Sequence, residues 1–261
     1  MLQSLRELIA RRDLVYILAW REIKIRYKQS VMGLLWAILM PLVIVCSGVV
    51  VRYAFSRMSG APLALADVTA VAVKAVPWAF VVGAVRFGTN SLVTNSNLVT
   101  KVYMPRLAFP ISAVGAQLLD FLIAGIVIAL LLVAAQVGIS IHLLWVPALI
   151  SCLILMTAAF AVILSAASLF LRDVKYLVDV FLTFAIFFTP VFYSAALFGD
   201  RGKYLLLNPV APLLEGLDAA IVQGRAPDAF WTAYAAIWAF ALLLFTPAFF
   251  LRLEPKFAES V

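Results

Sequence analysis

Residues 21–41 read REIKIRYKQSVMGLLWAILMP, and around Ser30 a basic segment gives way to an apolar one. Arg21, Glu22, Lys24, Arg26 and Lys28 precede Ser30, whereas no residue from 31 to 51 is charged. At about 1.5 Å of rise per residue, a helix over that run is long enough to cross about 30 Å of hydrocarbon. Ahead of it, Tyr16, Trp20, Ile23 and Tyr27 recur at helical spacing on one face, and Arg21, Lys24 and Lys28 recur on another. This pattern predicts an amphipathic helix in the membrane interface within residues 1–30, followed by the first span. It also fits a plain polybasic leader that sets topology and touches anionic lipid.

Composition extends the reading to the whole chain. Of 261 residues, 66% are hydrophobic and 13% charged, with a mean hydropathy of +1.09. An ordinary soluble domain is nearer about 45–50% apolar. The expected class is therefore an all-α membrane protein crossing the bilayer several times. A net charge of +7 would suit nucleic acid, but most of the excess falls beside predicted spans, so membrane lipid and not nucleic acid is the expected contact. Residues 1–30 carry charges throughout and lack the short apolar core of a secretory signal, so the first span itself is expected to direct insertion. Cys46 and Cys152 lie inside apolar runs and read as buried free thiols.

Six spans are predicted, at 31–53, 69–90, 107–136, 143–171, 176–198 and 229–251, with a bend expected at Pro41. The second span contains Lys74 and Arg86. Either they snorkel to the interface from near its ends, or one faces a hydrated passage or pairs with a carboxylate. Asp120, near Gln117 in the third span, is the obvious intramembrane partner, and is itself open to a functional or a structural reading. Small residues of the fourth span, Ala158, Ala159, Ala161 and Ser165 among them, permit close helix packing. His142 is the single histidine and falls in a predicted outer turn, so no metal cluster is expected. Lys175 and Asp179 are spaced for an i,i+4 pair.

In the fifth span Phe181, Phe184, Phe188 and Phe192 follow at helical intervals, with Tyr193 adjacent. Such a stripe either lines a glycan path, where ring faces meet sugar faces, or simply packs and contacts lipid. Residues 199–228 are punctuated by glycine and proline, and LLEGLDAAIVQ within them is apolar enough to re-enter the membrane but too short to span it. On this topology thirteen basic residues lie inside and five outside, which favours both termini in the cytoplasm.

The run from Arg21 to Ser30, with Gly33, Trp36, Ala37 and Pro41, resembles the N-terminal signature of type-2 ABC exporter permeases. Within them it is most like the branch that exports O-antigen, teichoic-acid and capsular polysaccharides. The stretch NSNLVTK at 95–101, followed by MPR and FP, is similar to the coupling region of that family, and RDV at 172–174 also resembles it. Asn208, Pro209, Arg225 and Pro227 resemble its outer re-entrant helices, although the arginine stands later than in the family pattern.

The resemblance reaches from residue 21 to about 227. It implies a six-span transmembrane domain over 31–261 with short outer re-entrant helices before the last span. It further implies two copies of this chain working with two separate ATPase subunits, which Arg21, Lys24, Arg26, Tyr27, Asn95, Asn97 and Lys101 would meet. ATP and Mg would sit on those partners. The chain carries no G-x-x-x-x-G-K-[ST] loop of its own, and neither H-E-x-x-H nor CxxC, so no catalytic, cofactor or metal residue is assigned to it. The implied cargo is a lipid-linked polysaccharide crossing the bacterial cytoplasmic membrane along Phe181, Phe184, Phe188, Phe192 and Tyr193. Two alternatives remain: an exporter of drugs or other small molecules on the same fold, and an ion-coupled secondary carrier using Asp120.

Overall fold

A computed structural model describes residues 12–28, 32, 33, 35–60, 64–101 and 104–259, and every regular element among them is helical. In chain order these are α1 (Arg12–Lys28), α2 (Leu35–Ser59), α3 (Leu65–Thr94), α4 (Ser96–Lys101) and α5 (Ala108–Ala134). Then come α6 (Trp145–Phe170), α7 (Val174–Phe188), α8 (Gly202–Leu206), α9 (Val210–Ile221) and α10 (Ala229–Leu253). Short 3-10 turns at Ile141–Leu144, Ala195–Arg201 and Glu254–Glu259 join or end them. Among the described residues five stretches are long and apolar enough to cross a membrane: Leu35–Met58, Leu65–Thr94, Ala108–Ala134, Ile141–Phe170 and Ala229–Leu253.

The axis of the fold is α3. It is apolar around nearly its whole circumference, as a helix enclosed by others must be, and nearly every residue from 69 to 81 is buried. It packs against α2, α5, α6, α7 and α9. The approach to α6 is close because Gly88 faces Ala161: a Cβ at Gly88 would lie 2.5 Å from the Ala161 Cβ. The small residues of the fourth span thus act as expected. Outward-facing surfaces of α2, α5, α7 and α10 carry large exposed apolar side chains such as Val43, Ile126, Phe181 and Phe240, which suits a lipid surround.

The expected fifth span, 176–198, is built differently. Helix α7 has 15 residues, which at about 1.5 Å each rise about 22 Å, less than the hydrocarbon thickness. It ends because Pro190 follows Thr189: the proline ring disfavours helical backbone in the preceding residue, and Thr189 is extended at φ −110° and ψ 132°. The chain then turns back through residues 190–194 into the 3-10 segment. Beyond it, α9 has 12 residues, too few to span, and buries Leu213, Leu214 and Leu217 among α3, α6 and α10.

At the opposite end of α3, α1 lies along α5, with Leu18 buried in a cluster that includes Leu92, Phe109 and Phe250. Tyr16 and Trp20 stack at 6.5 Å on the exposed side, whereas Tyr27, expected on their face, points into the bundle. The expectation of two buried thiols is corrected: Cys46 is exposed on α2 and Cys152 is half-buried, both as free thiols.

Candidate coupling surface and transport path

The two segments with coupling-region character meet. Arg21 of α1 donates to the side-chain oxygen of Asn95, which joins α3 to α4, and to Glu22 at 3.0 Å. Asn95 in turn donates to the Ser91 carbonyl at 2.8 Å, which fixes its amide. Asn97 follows two residues on, in α4, and the side chain of Lys101 lies outside the described residues. Lys24 is exposed, with its ammonium 5.7 Å from the Trp20 ring centre. Arg21, Asn95, Asn97 and Lys24 therefore belong to one end of the molecule.

Arg26 and Tyr27 do not share that surface. Arg26 Nη1 donates to Asp120 Oδ2 at 2.6 Å and to Gln117 Oε1 at 3.0 Å, and its guanidinium lies 4.2 Å from the Phe87 ring centre. Gln117 also donates to Asp120 Oδ2 at 2.9 Å, and the Tyr27 hydroxyl donates to Oδ1. Burial, and next the hydrogen bond to Asp120, push the Tyr27 phenol up to about 12. Asp120 lies 12 residues beyond Ala108 in α5, about 18 Å along the axis. A bare carboxylate at that depth is costly, and this one is paired and fully bonded. A cavity of about 350 Å³ lies against the cluster, walled by Trp36, Met40, Phe80 and Phe121.

Lys74 and Arg86 each pair with a carboxylate, as one of the two sequence readings had it, but the carboxylate is not Asp120 in either case. Lys74 does not snorkel. It is 1% exposed, and its ammonium donates to the Tyr193 carbonyl at 2.6 Å and to Glu215 of α9 at 3.2 Å. Glu215 also accepts from Ser194 at 3.2 Å and from the Ala195 amide at 3.3 Å, so one carboxylate pins the chain just after α7. Arg86 pairs with Asp179 of α7 at 2.7 Å, with both side chains 43% exposed. That takes Asp179 away from Lys175, which instead lies over the Tyr176 ring at 4.7 Å.

The aromatic stripe divides. Phe181, Phe184 and Phe188 are exposed and line a groove of about 1180 Å³ with Trp78, Phe160 and Asn208. Phe192 is buried against Gly48 of α2, where an added Cβ would fall 2.6 Å from its ring. Pro190 breaks the helical register that placed it with the others. Tyr193 is half-buried, and its hydroxyl donates to the Phe187 carbonyl at 2.6 Å. Arg225 lines a polar recess of about 540 Å³ on the same side as Glu215, Asp200 and Lys203.

Sequence reasoning passed over Glu215, paired Asp179 with Lys175, and named Gln117 beside Asp120 without a role. For Glu215 a signal existed, since a carboxylate inside the apolar LLEGLDAA calls for a buried cation. The other two pairings follow from how the helices pack.

The sequence model described as the ABC-2 type transporter family matches residues 13–222. Over 266 aligned residues, covering 100% of both chains, the protein is 28% identical to the O-antigen export system permease protein RfbA of Myxococcus xanthus. It is 24% identical to the protein of the same name from Klebsiella pneumoniae over 249 residues, covering 95% of this chain and 94% of the relative.

Proposed function

The chain belongs to the ABC-2 type transporter family, and from that premise we propose that it is the membrane-spanning subunit of an ATP-driven exporter of lipid-linked polysaccharide. The observation that carries the cargo is similarity over the whole chain to permeases named for O-antigen export. The exposed ring faces of Phe181, Phe184 and Phe188 supply a surface suited to the apolar faces of sugars.

In this reading two copies of the chain stand side by side in the bacterial cytoplasmic membrane with both termini inside. Each makes six crossings, the short helix α7 supplying the fifth. Two ATPase subunits hold ATP and Mg and dock on the end bearing Arg21, Lys24, Asn95, Asn97 and Lys101. Nucleotide-driven closure of the ATPases displaces α1 and α4, and that movement biases the bundle between closed and open arrangements. An ion-coupled carrier fits less well, because Asp120 is held in place by Arg26, Gln117 and Tyr27.

Reconstitution tests the reading. Vesicles holding the chain with its ATPase move lipid-linked polysaccharide only when Mg-ATP is supplied. Uphill movement by the chain alone, driven by a proton or sodium gradient, would overturn it. ATP-driven efflux of small apolar compounds with no polysaccharide movement would transfer the protein to the drug-exporting alternative.

A further inference from the structure

Resting on that reading, we infer that Arg26 and Asp120 form a latch that passes movement of α1 to the third span, which makes them a positioning pair for transport. Beyond this cluster, in which Arg26 also bonds Gln117 and Tyr27 also bonds Asp120, α1 meets α5 through apolar contacts. Leu18 lies in a greasy cluster and Ala19 faces Gly115, where an added Cβ would be 3.7 Å away. Such contacts have no preferred direction and allow sliding. The Arg26–Asp120 contact is directional: a charge-assisted bond at 2.6 Å is lost over a displacement of about 1 Å. With the two side chains only 22% and 11% exposed, separating the charges is opposed, so α1 takes Asp120 with it.

Placement along α1 supports the same conclusion. Arg21 holds Asn95 and Arg26 holds Asp120, five residues on in the same continuous helix, or about 7.5 Å along its axis. One rigid helix thus touches the coupling segment at one point and the middle of α5 at another. The cavity of about 350 Å³ beside the pair, walled in part by Tyr27, Phe87 and Gln117, leaves room for the latch to shift without expelling packed side chains. Gln117 of α5 holds the carboxylate back toward its own helix, while Tyr27 of α1 grips its other oxygen and moves with Arg26, so the carboxylate follows α1 by moving α5.

The test uses the native host with its own chain deleted and replaced by variants. Two quantities are measured: polysaccharide reaching the cell surface, and Mg-ATP hydrolysis by the complex purified from the same cells. Asp120→Asn keeps the shape of its side chain and Arg26→Gln replaces the cation with a shorter neutral amide. They are expected to lower export per ATP hydrolysed by about tenfold, within the about 5- to 150-fold span of couplings between linked sites, while the complex assembles and hydrolyses ATP. The exchange of Arg26→Asp with Asp120→Arg is expected to restore much of the ratio. A merely structural role predicts instead that hydrolysis and export fall together and that the exchange restores nothing.

An unchanged ratio in both single variants would overturn the latch, as would loss of assembly in every variant, Arg26→Lys included. If deleting the chain leaves surface polysaccharide unaltered, the functional reading itself fails, which is a different result from failure of the latch.

Discussion

Lys74 of α3 and Glu215 of α9 form an ion pair at 3.2 Å, with the lysine side chain 1% exposed and the glutamate 19% exposed. Glu215 reaches the amide of Ala195 as well, so this pair joins the central helix, the short outer helix and the strap after α7. Removing one partner leaves a buried charge, whereas removing both leaves an apolar contact. Glu215→Gln is expected to destabilise by about 3–5 kcal/mol, and Lys74→Met with Glu215→Leu by much less. Thermal unfolding of the purified protein in detergent compares them, and equal loss in single and double variants would contradict the assignment.

Arg86 and Asp179 make the contrasting case. Their distance is shorter, 2.7 Å, but both side chains are 43% exposed. Pairs that water reaches contribute about 0–1 kcal/mol, so with water at this pair Asp179→Asn leaves the unfolding midpoint nearly unchanged. A large drop would mean that the pair is enclosed.

The split in the aromatic stripe separates packing from transport. Phe192→Ala removes a buried ring and is expected to cost about 3–5 kcal/mol. Phe181→Ala and Phe184→Ala alter exposed rings, so stability stays within about 0.5 kcal/mol while polysaccharide export falls. Full export with both exposed rings removed would show that the face serves lipid contact alone.

Gly88 is where α3 and α6 come closest. Gly88→Ala puts a methyl 2.5 Å from the Ala161 Cβ and 3.2 Å from its Cα, and the helices must separate. Overpacking of this kind costs about 1–3 kcal/mol, and Ala161→Gly in the same chain is expected to relieve part of it. Detergent unfolding of the two variants checks the order.

At the coupling end, Arg21→Ala or Asn95→Ala removes the bond that ties α1 to the α3–α4 junction. The chain is expected to insert normally yet retain its ATPase about tenfold less well, the effect of about 1.4 kcal/mol. Co-purification of the two subunits measures this directly.

Much of the architecture was legible in the residues, because a long uncharged apolar run in hydrocarbon has to satisfy its own backbone, and a helix does so locally. The spans at 69–90, 107–136, 143–171 and 229–251 became helices a few residues longer or shorter than read. The short outer helix was evident from its punctuation. Even the break in the fifth segment was present as Thr189–Pro190, a two-residue signal outweighed by the aromatic period around it. At the candidate site, likeness to a family assigned residues of the 21–28 and 95–101 segments to an ATPase-facing surface, whereas the bond of Arg21 to Asn95 and the inward turn of Arg26 and Tyr27 were not read from the sequence.

The sequence alone determined which stretches enter the membrane and which charges stand beside them, since both depend on the run of residues within one segment. Which carboxylate meets which cation was left to the tertiary structure. Lys74 and Glu215 are 141 positions apart, Arg26 and Asp120 94, and Arg86 and Asp179 93. Partners at such separations are chosen by the rotation and depth at which helices pack, which the van der Waals fit of the whole bundle decides.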